Sequence, residues 1–302
     1  MAAASAPASA RLRALLRQEG MIVAPGAYDC IGARVIEQAG FAAVYMTGAG
    51  TAATLGYPDF GLITMSEMAD NAGRLAAAVR VPVIADADTG YGNELNVTRT
   101  VREYQRRGVA GLHIEDQGFP KKCGHLDDKV VIPLDDFLAK VRAAAAARTD
   151  PDFLLIARTD ARAVVGFEEA VRRMNAALAA GADMAFLEAP QTRDEVAAVP
   201  RLVEGPCLLN VVSGGKTPVL DLADAERLGF KLAILPGILF QTAVAAFDTV
   251  LAETTATRRH PDMKVSLKEK FRRVGAEEWD ALREKFKSPA ASDDAGKRNA
   301  AE

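Results

Sequence analysis

The feature that most constrains the fold of this 302-residue chain is a pattern repeated eight times, in which a short apolar run precedes a longer Ala-rich segment. The longer segments carry apolar residues at spacings of three and four, as amphipathic helices do. Strands that alternate with helices in this way are typical of βα units around a parallel sheet. The predicted strands occupy residues 21–25, 41–47, 81–86, 109–115, 153–158, 184–188, 207–211 and 232–235.

A glycine stands between helix and strand in four of these units, at Gly40, Gly108, Gly181 and Gly229. Glycine in this place favours the left-handed conformation that ends many helices. A doubly wound sheet would also alternate strands with helices, but no GxGxxG sequence opens a helix after the first strand, and no linker rich in Pro, Gly or Ser divides the chain. The sequence therefore predicts an α/β protein with a (β/α)8 TIM-type barrel.

The predicted barrel domain covers residues 9–287. Residues 238–256 and 267–287 each have the pattern of a helix, which is one helix more than a simple barrel requires. The segments 1–8 and 288–302 are rich in small or charged residues without periodicity, and we expect them to be a disordered leader and a disordered tail.

Charge and cysteine content limit the partners and the compartment. The formal net charge is −3, and no basic run is interleaved with aromatic residues, so we expect no nucleic-acid partner. No apolar stretch approaches the roughly 20 residues of a membrane helix, and the first residues lack the pattern of a secretory signal. The three cysteines are far apart and predict free thiols. We expect a cytoplasmic protein that does not enter membranes.

The candidate chemistry lies where the predicted strands end, because this end of a barrel carries the active site. Carboxylates that cluster there repel one another unless a cation lies between them, and oxygen ligands without zinc-type spacing favour Mg²⁺ or Mn²⁺. The alternative for Asp86 and Asp88 is that they cap the helix that begins near Asn93. The polar residues at these ends are Asp86, Asp88, His113, Glu115, Arg158, Glu188 and Asn210.

A polar stretch after the fourth strand, residues 117–130, contains Lys121, Cys123 and His125 and is called the Cys loop below. Flanking cations favour a thiolate, so we predict Cys123 to be a reactive acid or base. For Cys30 and Cys207 the sequence favours a packing role. His113 is either a hydrogen-bonded core residue or a residue that supports the site.

Five segments in order resemble the isocitrate lyase/phosphoenolpyruvate mutase superfamily, with similarity from about residue 20 to residue 287. In that superfamily the Cys loop distinguishes the carbon–carbon lyase branch from mutases and phosphonopyruvate hydrolases. The segments are Tyr45-Met-Thr47-Gly48-Ala49-Gly50, Gly56-Tyr-Pro-Asp59, Asp86-Ala-Asp88-Thr-Gly90-Tyr-Gly92, His113-Ile-Glu115-Asp116-Gln117 and Lys121-Lys-Cys123-Gly-His125.

The resemblance implies roles for individual residues. Asp86 and Asp88, with Asp59 and Glu115 through water, would hold Mg²⁺, for which Mn²⁺ can substitute. Thr47, Gly48, Ala49 and Arg158 would bind an α-keto-acid unit, and Glu188, Asn210 and Ser213 would line the rest of the pocket. Lys121, Cys123 and His125 match the mobile catalytic loop, where Gly124 and His125 would also bind substrate, and Tyr45 and Arg158 are counted among the catalytic residues. The resemblance also implies that the last helix is exchanged between paired subunits of a homotetramer.

The implied activity is Mg²⁺-dependent cleavage of a 2-substituted malate-type acid into an α-keto acid and a carboxylate, with Cys123 as general acid. Thr47-Gly48-Ala49 replaces a more usual Ser-Gly-Gly, and residues 235–241 lack the arginine usual after the eighth strand, which favours the 2,3-dimethylmalate lyase and oxaloacetate hydrolase group. The alternatives are a 2-methylisocitrate lyase that forms pyruvate and succinate, an oxaloacetate hydrolase or decarboxylase, and a phosphonopyruvate-type activity. A binding-only protein is disfavoured by the Cys loop.

Overall fold

A computed structural model describes residues 6–287, and within them eight parallel strands close into one barrel. Each strand pairs with the next along the chain, and the eighth pairs with the first, so the predicted fold class is confirmed. The strands are β1 (Ile22–Ala27), β2 (Val44–Met46), β3 (Val83–Asp86), β4 (Gly111–Glu115), β5 (Leu154–Thr159), β6 (Met184–Leu187), β7 (Cys207–Asn210) and β8 (Leu232–Leu235).

Helices follow the strands at the positions that the apolar periodicity predicts. The apolar periodicity between β7 and β8 extends over residues 218–228, but the helix there begins only at residue 222, after a stretch that contains Pro218. The glycines predicted to end helices have positive φ, for example 78° at Gly108 and 102° at Gly229. The helices are α1 (Ala8–Arg17), α2 (Cys30–Gln38), α3 (Gly48–Thr54), α4 (Met65–Ala78), α5 (Glu94–Arg106), α6 (Leu134–Ala147), α7 (Ala161–Val164), α8 (Phe167–Ala179), α9 (Arg193–Leu202), α10 (Leu222–Leu228), α11 (Ile238–Thr257), α12 (Leu267–Arg273) and α13 (Ala276–Phe286).

Side chains of the strands alternate between two packed layers, as the two-residue period of a strand requires. Tyr45, Ile84 and Ile156 belong to a buried cluster to which strands on every side of the barrel contribute, so this cluster fills the interior. Val44 and Met46, on either side of Tyr45, belong to the layer between the sheet and the helices. Because the interior is filled, chemistry is confined to the ends of the strands.

The C-terminal region differs from the sequence-based expectation in one way. The predicted helix 267–287 is two helices, because Gly275 adopts φ 87° between α12 and α13. The chain divides into two compact units, residues 1–249 and 250–302, and the barrel domain 9–287 stays a prediction. Exchange of the last helix within a homotetramer stays a prediction.

The ends of the chain bear on the expected leader and tail. Helix α1 begins at Ala8, so the last residue of the expected leader 1–8 is helical. Residues 1–5 and the expected tail 288–302 lie outside the described part of the chain. No helix between residues 6 and 287 is both long and apolar enough to cross a membrane.

Closure of the barrel between β1 and β8 depends on a glycine. A Cβ atom at Gly26 would lie 2.3 Å from the carbonyl oxygen of Pro236 and 2.6 Å from its Cα. Since both neighbours are backbone atoms, a side chain at this position would force the two strands apart.

We therefore predict that Gly26→Ala lowers the free energy of unfolding by about 1 to 3 kcal/mol, the usual cost of overpacking. Urea denaturation of the purified protein measures the change. Gly237→Ala is the matched control, because its Cβ would meet only the flexible side chain of Gln241, at 3.2 Å. Equal stability of Gly26→Ala and the wild type would contradict the prediction.

Candidate active site

The carboxyl ends of β3 to β7 bring the predicted polar residues to one end of the barrel. All of them are buried, including Asp86, Asp88, Glu115, Arg158 and Glu188. The alternative role of Asp86 and Asp88 as helix caps is wrong, because the side chain of Asn93 caps α5 instead. The two aspartates are therefore available for chemistry.

Asp86 accepts hydrogen bonds from two loops. Its Oδ1 accepts from the backbone N–H of Asp88 at 2.9 Å, and its Oδ2 accepts from the N–H of Gly48 at 3.2 Å. A Cβ at Gly48 would lie 2.4 Å from Oδ2, so only glycine allows this approach. Asp88 itself has φ 46°, a strained conformation for a residue with a side chain. The Gly48 segment and the loop after β3 are thus fixed around one carboxylate.

Tyr45 and His113 form a buried pair beside Asp86. The Tyr45 hydroxyl lies 2.8 Å from His113 Nε2 and 3.5 Å from Asp86 Oδ2. Burial lowers the pKa of His113 to about 4, so the imidazole is neutral at physiological pH. His113 is a fully buried, hydrogen-bonded residue, and it also supports the site because it orients the Tyr45 hydroxyl toward Asp86.

Lys121 reaches from the Cys loop to two of the predicted metal ligands. Its ammonium forms an ion pair with Asp59 and lies 2.5 Å from Asp88 Oδ1. Burial opposes the charge, but the surrounding carboxylates raise the pKa of Lys121 well above its ordinary value. Burial raises the pKa of Asp88 to about 6 although Lys121 lowers it. These carboxylates therefore require a cation, and Lys121 supplies one.

The residues fit a hydrated divalent ion better than a fully protein-bound one. Burial raises the pKa of Glu115 well above its usual range, and its Oε1 has no hydrogen-bond partner among the residues described. Between residues 6 and 287, no three His, Cys, Asp or Glu side chains form a preassembled metal site. Mg²⁺ commonly binds one or two carboxylates and keeps several waters, so this donor set is compatible with it.

Arg158 is held at the end of β5 by two carboxylates. Its Nε lies 3.0 Å from Asp160 Oδ2 and 3.2 Å from Glu115 Oε2, and its guanidinium lies 5.0 Å from the centre of the Phe186 ring. Asp160 is itself fixed, because its N–H donates to Asp116 Oδ1 at 2.9 Å. The cation is thus oriented before any ligand binds.

Glu188 joins the strand ends to the Cys loop. It lies 2.9 Å from His125 Nε2 and accepts hydrogen bonds from the Asn210 side chain at 3.1 and 3.2 Å. The N–H of Lys216 donates to His125 Nδ1 at 3.0 Å, which places the imidazole proton on Nε2. Burial would raise the pKa of Glu188, but Arg158 and these hydrogen bonds lower it to about 2.

The expectation that Cys123 is a thiolate is wrong. Burial raises the pKa of the Cys123 thiol, and Asp59 and Glu188 raise it further, although a backbone hydrogen bond from His125 and the charge of Arg158 lower it. The lysines beside it in sequence do not reverse this, since Lys121 is paired with Asp59 and Asp88. Cys123 is therefore a neutral thiol that carries a proton.

The remaining predicted residues surround this cluster less closely. Thr47 is buried and its hydroxyl accepts from Gly50 at the start of α3, and Ala49 is half-buried in the same helix. Ser213 is exposed in the loop after β7. Gly124 is buried against the site, because a Cβ there would lie 2.5 Å from an Arg158 nitrogen and 2.6 Å from Glu188 Cγ.

Sequence reasoning missed three buried charged residues near the site. Asp160 holds Arg158, Lys129 binds Asp160 and the Gly124 carbonyl, and Lys140 donates to the Thr89 carbonyl at 3.2 Å. Asp160 was detectable, because it follows a strand-end arginine by two residues. Nothing in the sequence indicated that Lys129 and Lys140 are buried, since lysine is ordinarily exposed.

A cavity of about 650 Å³ adjoins the site, with Asp88 and Lys121 in its wall. Apolar side chains such as Ile63 and Ile132 form much of the remaining lining, together with Lys140. Of the predicted residues, Asp88 and Lys121 therefore lie beside a space large enough for a small organic acid.

The family model described as phosphoenolpyruvate phosphomutase matches residues 12–255. Among curated proteins, the 2,3-dimethylmalate lyase of Eubacterium barkeri is 46% identical over 239 residues, which cover 79% of this chain and 83% of that protein. The 2-methylisocitrate lyase of Aeropyrum pernix is 45% identical over 242 residues, which cover 80% of this chain and 78% of that protein.

Solved structures of the same superfamily also resemble this chain. An oxaloacetate acetylhydrolase in complex with 3,3-difluorooxalacetate superposes with a TM-score of 0.89 at 37% identity, covering 92% of this chain and 96% of the other. A phosphonopyruvate hydrolase in complex with oxalate and Mg²⁺ superposes with a TM-score of 0.84 at 31% identity, covering 93% and 99%. The resemblance found in the sequence is confirmed, and the chain belongs to the phosphoenolpyruvate mutase/isocitrate lyase superfamily.

Proposed function

We propose that this protein is a carbon–carbon lyase that uses Mg²⁺ to cleave a 2-hydroxy acid of the 2-substituted malate type into an α-keto acid and a carboxylate. The observation that carries the proposal is the docking of the Cys loop on the strand-end cluster, where Gly124 packs against Arg158 and His125 contacts Glu188. Relatives named as lyases support the reaction class.

The substrate carboxylate would bind between the Thr47–Ala49 segment and Arg158. Arginine meets carboxylates with paired N–H donors, and Asp160 and Glu115 hold the guanidinium in place. Tyr45, oriented by His113, would donate its hydroxyl proton toward an oxygen of the ligand near Asp86. These contacts would fix the end of the substrate that becomes the keto acid.

Cleavage requires that the substrate hydroxyl lose its proton to a base and that the bond between the two fragments break. The electron pair of that bond remains on the departing acid, which then takes a proton. Cys123 can supply this proton because its raised pKa keeps the thiol protonated until a stronger base appears. Closure of the Cys loop would exclude water, so that the proton comes from the thiol.

Asp86 and Asp88 would hold the metal, with Asp59 and Glu115 contributing through water. When bound, Mg²⁺ would polarise the oxygen that becomes the keto group. The buried carboxylates with raised pKa support this assignment, as does the Mg²⁺ in the phosphonopyruvate hydrolase complex.

The distal end of the pocket favours a small apolar substituent. Residues 235–241 after β8 include Pro236, Ile238 and Leu239 and no basic residue, so an additional carboxylate would be desolvated there without a cationic partner. Glu188 adds a buried carboxylate to the site. We therefore expect alkyl-substituted malates or oxaloacetate to be better substrates than 2-methylisocitrate. A 2-methylisocitrate lyase is the second candidate function, because the enzyme of that name from Aeropyrum pernix is 45% identical to this chain.

The first prediction concerns the metal. Chelation with EDTA should abolish turnover and Mg²⁺ or Mn²⁺ should restore it, because the buried carboxylates bind substrate poorly without a bound cation. Asp88→Ala should weaken Mg²⁺ binding in calorimetry without unfolding the barrel, whereas Asp136→Ala, exposed on α6, should not change it. Full turnover in EDTA would refute the metal requirement.

The second prediction concerns the proton donor. Cys123→Ser should lower kcat by about 10²- to 10⁴-fold, the range of a general acid, while the Kd of the keto-acid product changes little. Steady-state kinetics and product binding measure the two quantities. Cys30→Ser is the matched control, since the charged groups that act on the Cys30 thiol are Asp29, Arg74 and Arg34, none of which is a predicted site residue. Near-normal lyase turnover of Cys123→Ala would contradict the role of Cys123 as proton donor and remove the argument that separates this chain from the hydrolase and mutase branch.

The third prediction concerns the substrate. We expect a higher kcat/KM for alkyl-substituted malates or oxaloacetate than for isocitrate or 2-methylisocitrate. A well-packed methylene contributes about 1 to 3 kcal/mol, so the preference among alkyl groups should be graded. Pyruvate, glyoxylate and oxalate formed from each acid are measured side by side. A clear preference for 2-methylisocitrate would establish the second candidate.

A further inference from the structure

Lys129 is a buried lysine in the Cys loop, six residues after Cys123, to which the proposed reaction assigns no task. Only 1% of its side chain is exposed, although lysine is almost never fully buried without a partner. Its ammonium donates to the carbonyl oxygen of Gly124 and lies 3.0 Å from Asp160 Oδ1. One side chain thus joins the tip of the loop to the end of β5.

Both partners of Lys129 are fixed next to reacting groups. Gly124 lies between Cys123 and His125, so a bond to its carbonyl sets the position of both side chains. Asp160 is fully buried and also binds the guanidinium of Arg158 at 3.0 and 3.3 Å. The same carboxylate therefore holds the substrate-binding arginine and, through Lys129, the loop that carries the thiol.

A second lysine attaches the loop at its other side, but to different carboxylates. Lys121 pairs with Asp59 and Asp88, which are proposed metal ligands, so a bound cation would compete with that attachment. Asp160 is not among those ligands. The contact made by Lys129 therefore uses none of the proposed metal ligands.

We propose that Lys129 is a positioning residue that locks the Cys loop in its closed position by linking the Gly124 carbonyl to Asp160. Without its ammonium, the loop loses its attachment to β5, and the position of Cys123 over the substrate is no longer fixed. The effect on turnover rests on the proposed role of Cys123 as proton donor, whereas the position of the loop does not depend on any reaction.

Alkylation of Cys123 by iodoacetamide measures loop opening without turnover. The label on the Cys123 peptide is quantified by mass spectrometry, with the Cys30 peptide as internal reference, in Mg²⁺ plus oxalate and again in EDTA. Loss of a nearby positive charge would by itself reduce the thiolate fraction and slow alkylation. Faster alkylation of a Lys129 variant therefore reports opening of the loop.

We expect Lys129→Met to increase the alkylation rate about tenfold in both conditions, which corresponds to a modest shift in the open population. Lys129→Arg, which retains a cationic donor, should restore the wild-type rate. Lys122→Met is the matched control, because it removes a charge from the same loop, where Lys122 forms hydrogen bonds with the Gln117 side chain through its backbone. For a substrate that the wild type cleaves, kcat of Lys129→Met should fall more than KM changes.

An unchanged alkylation rate in a folded Lys129→Met protein would overturn the proposal, and so would an equal increase in Lys122→Met. Lys129→Gln retains an N–H donor for Gly124 without the charge and provides a milder variant. If Lys129→Met and Lys129→Gln both fail to fold while Lys122→Met folds, Lys129 has a structural role and the proposal fails. Absence of turnover in the wild type would contradict the proposed function but not the alkylation result.

Discussion

Burial of negative charge at the carboxyl ends of the strands is the constraint on which the site depends. Asp86, Asp88, Glu115, Asp160 and Glu188 are all nearly inaccessible to water. Carboxylates in such surroundings either become protonated or acquire cations and hydrogen-bond donors. Both tendencies occur, since burial raises the pKa of Asp88 to about 6, whereas Arg158, His125 and Asn210 hold that of Glu188 at about 2.

The Cys loop supplies much of the charge and hydrogen bonding that these carboxylates need. Lys121 contacts Asp59 and Asp88, His125 contacts Glu188, and Lys129 contacts Asp160. In the position that the structure describes, the loop compensates several carboxylates at once. The proposed opening of the loop would remove these partners together, which would favour two discrete positions of the loop over a continuous range.

Much of the fold was predictable from the sequence, because the strand and helix periods repeat eight times and glycine marks several boundaries. The break between α12 and α13 was not, since a glycine such as Gly275 can also lie inside a helix. Strand ends identified Asp86, Glu115, Arg158 and Glu188, because their place in a barrel depends only on where a strand stops. Lys129 and Asp160 form a contact between residues 31 positions apart, and no local pattern indicates such a pair.

The protonation state of Cys123 depends on the groups that surround the thiol in the folded chain and not on its neighbours in sequence. Lys121, Lys122 and His125 make the segment look cationic, which favours a thiolate. In the folded chain Lys121 and His125 are paired with carboxylates, and Asp59 and Glu188 act on a half-buried thiol. Lys121 and His125 are therefore already paired with carboxylates where the loop meets the site, and the sulfur is left neutral. A neutral thiol held against a carbanion is the state from which a proton can be delivered, so the electrostatics of closure and of the proposed proton transfer have the same origin.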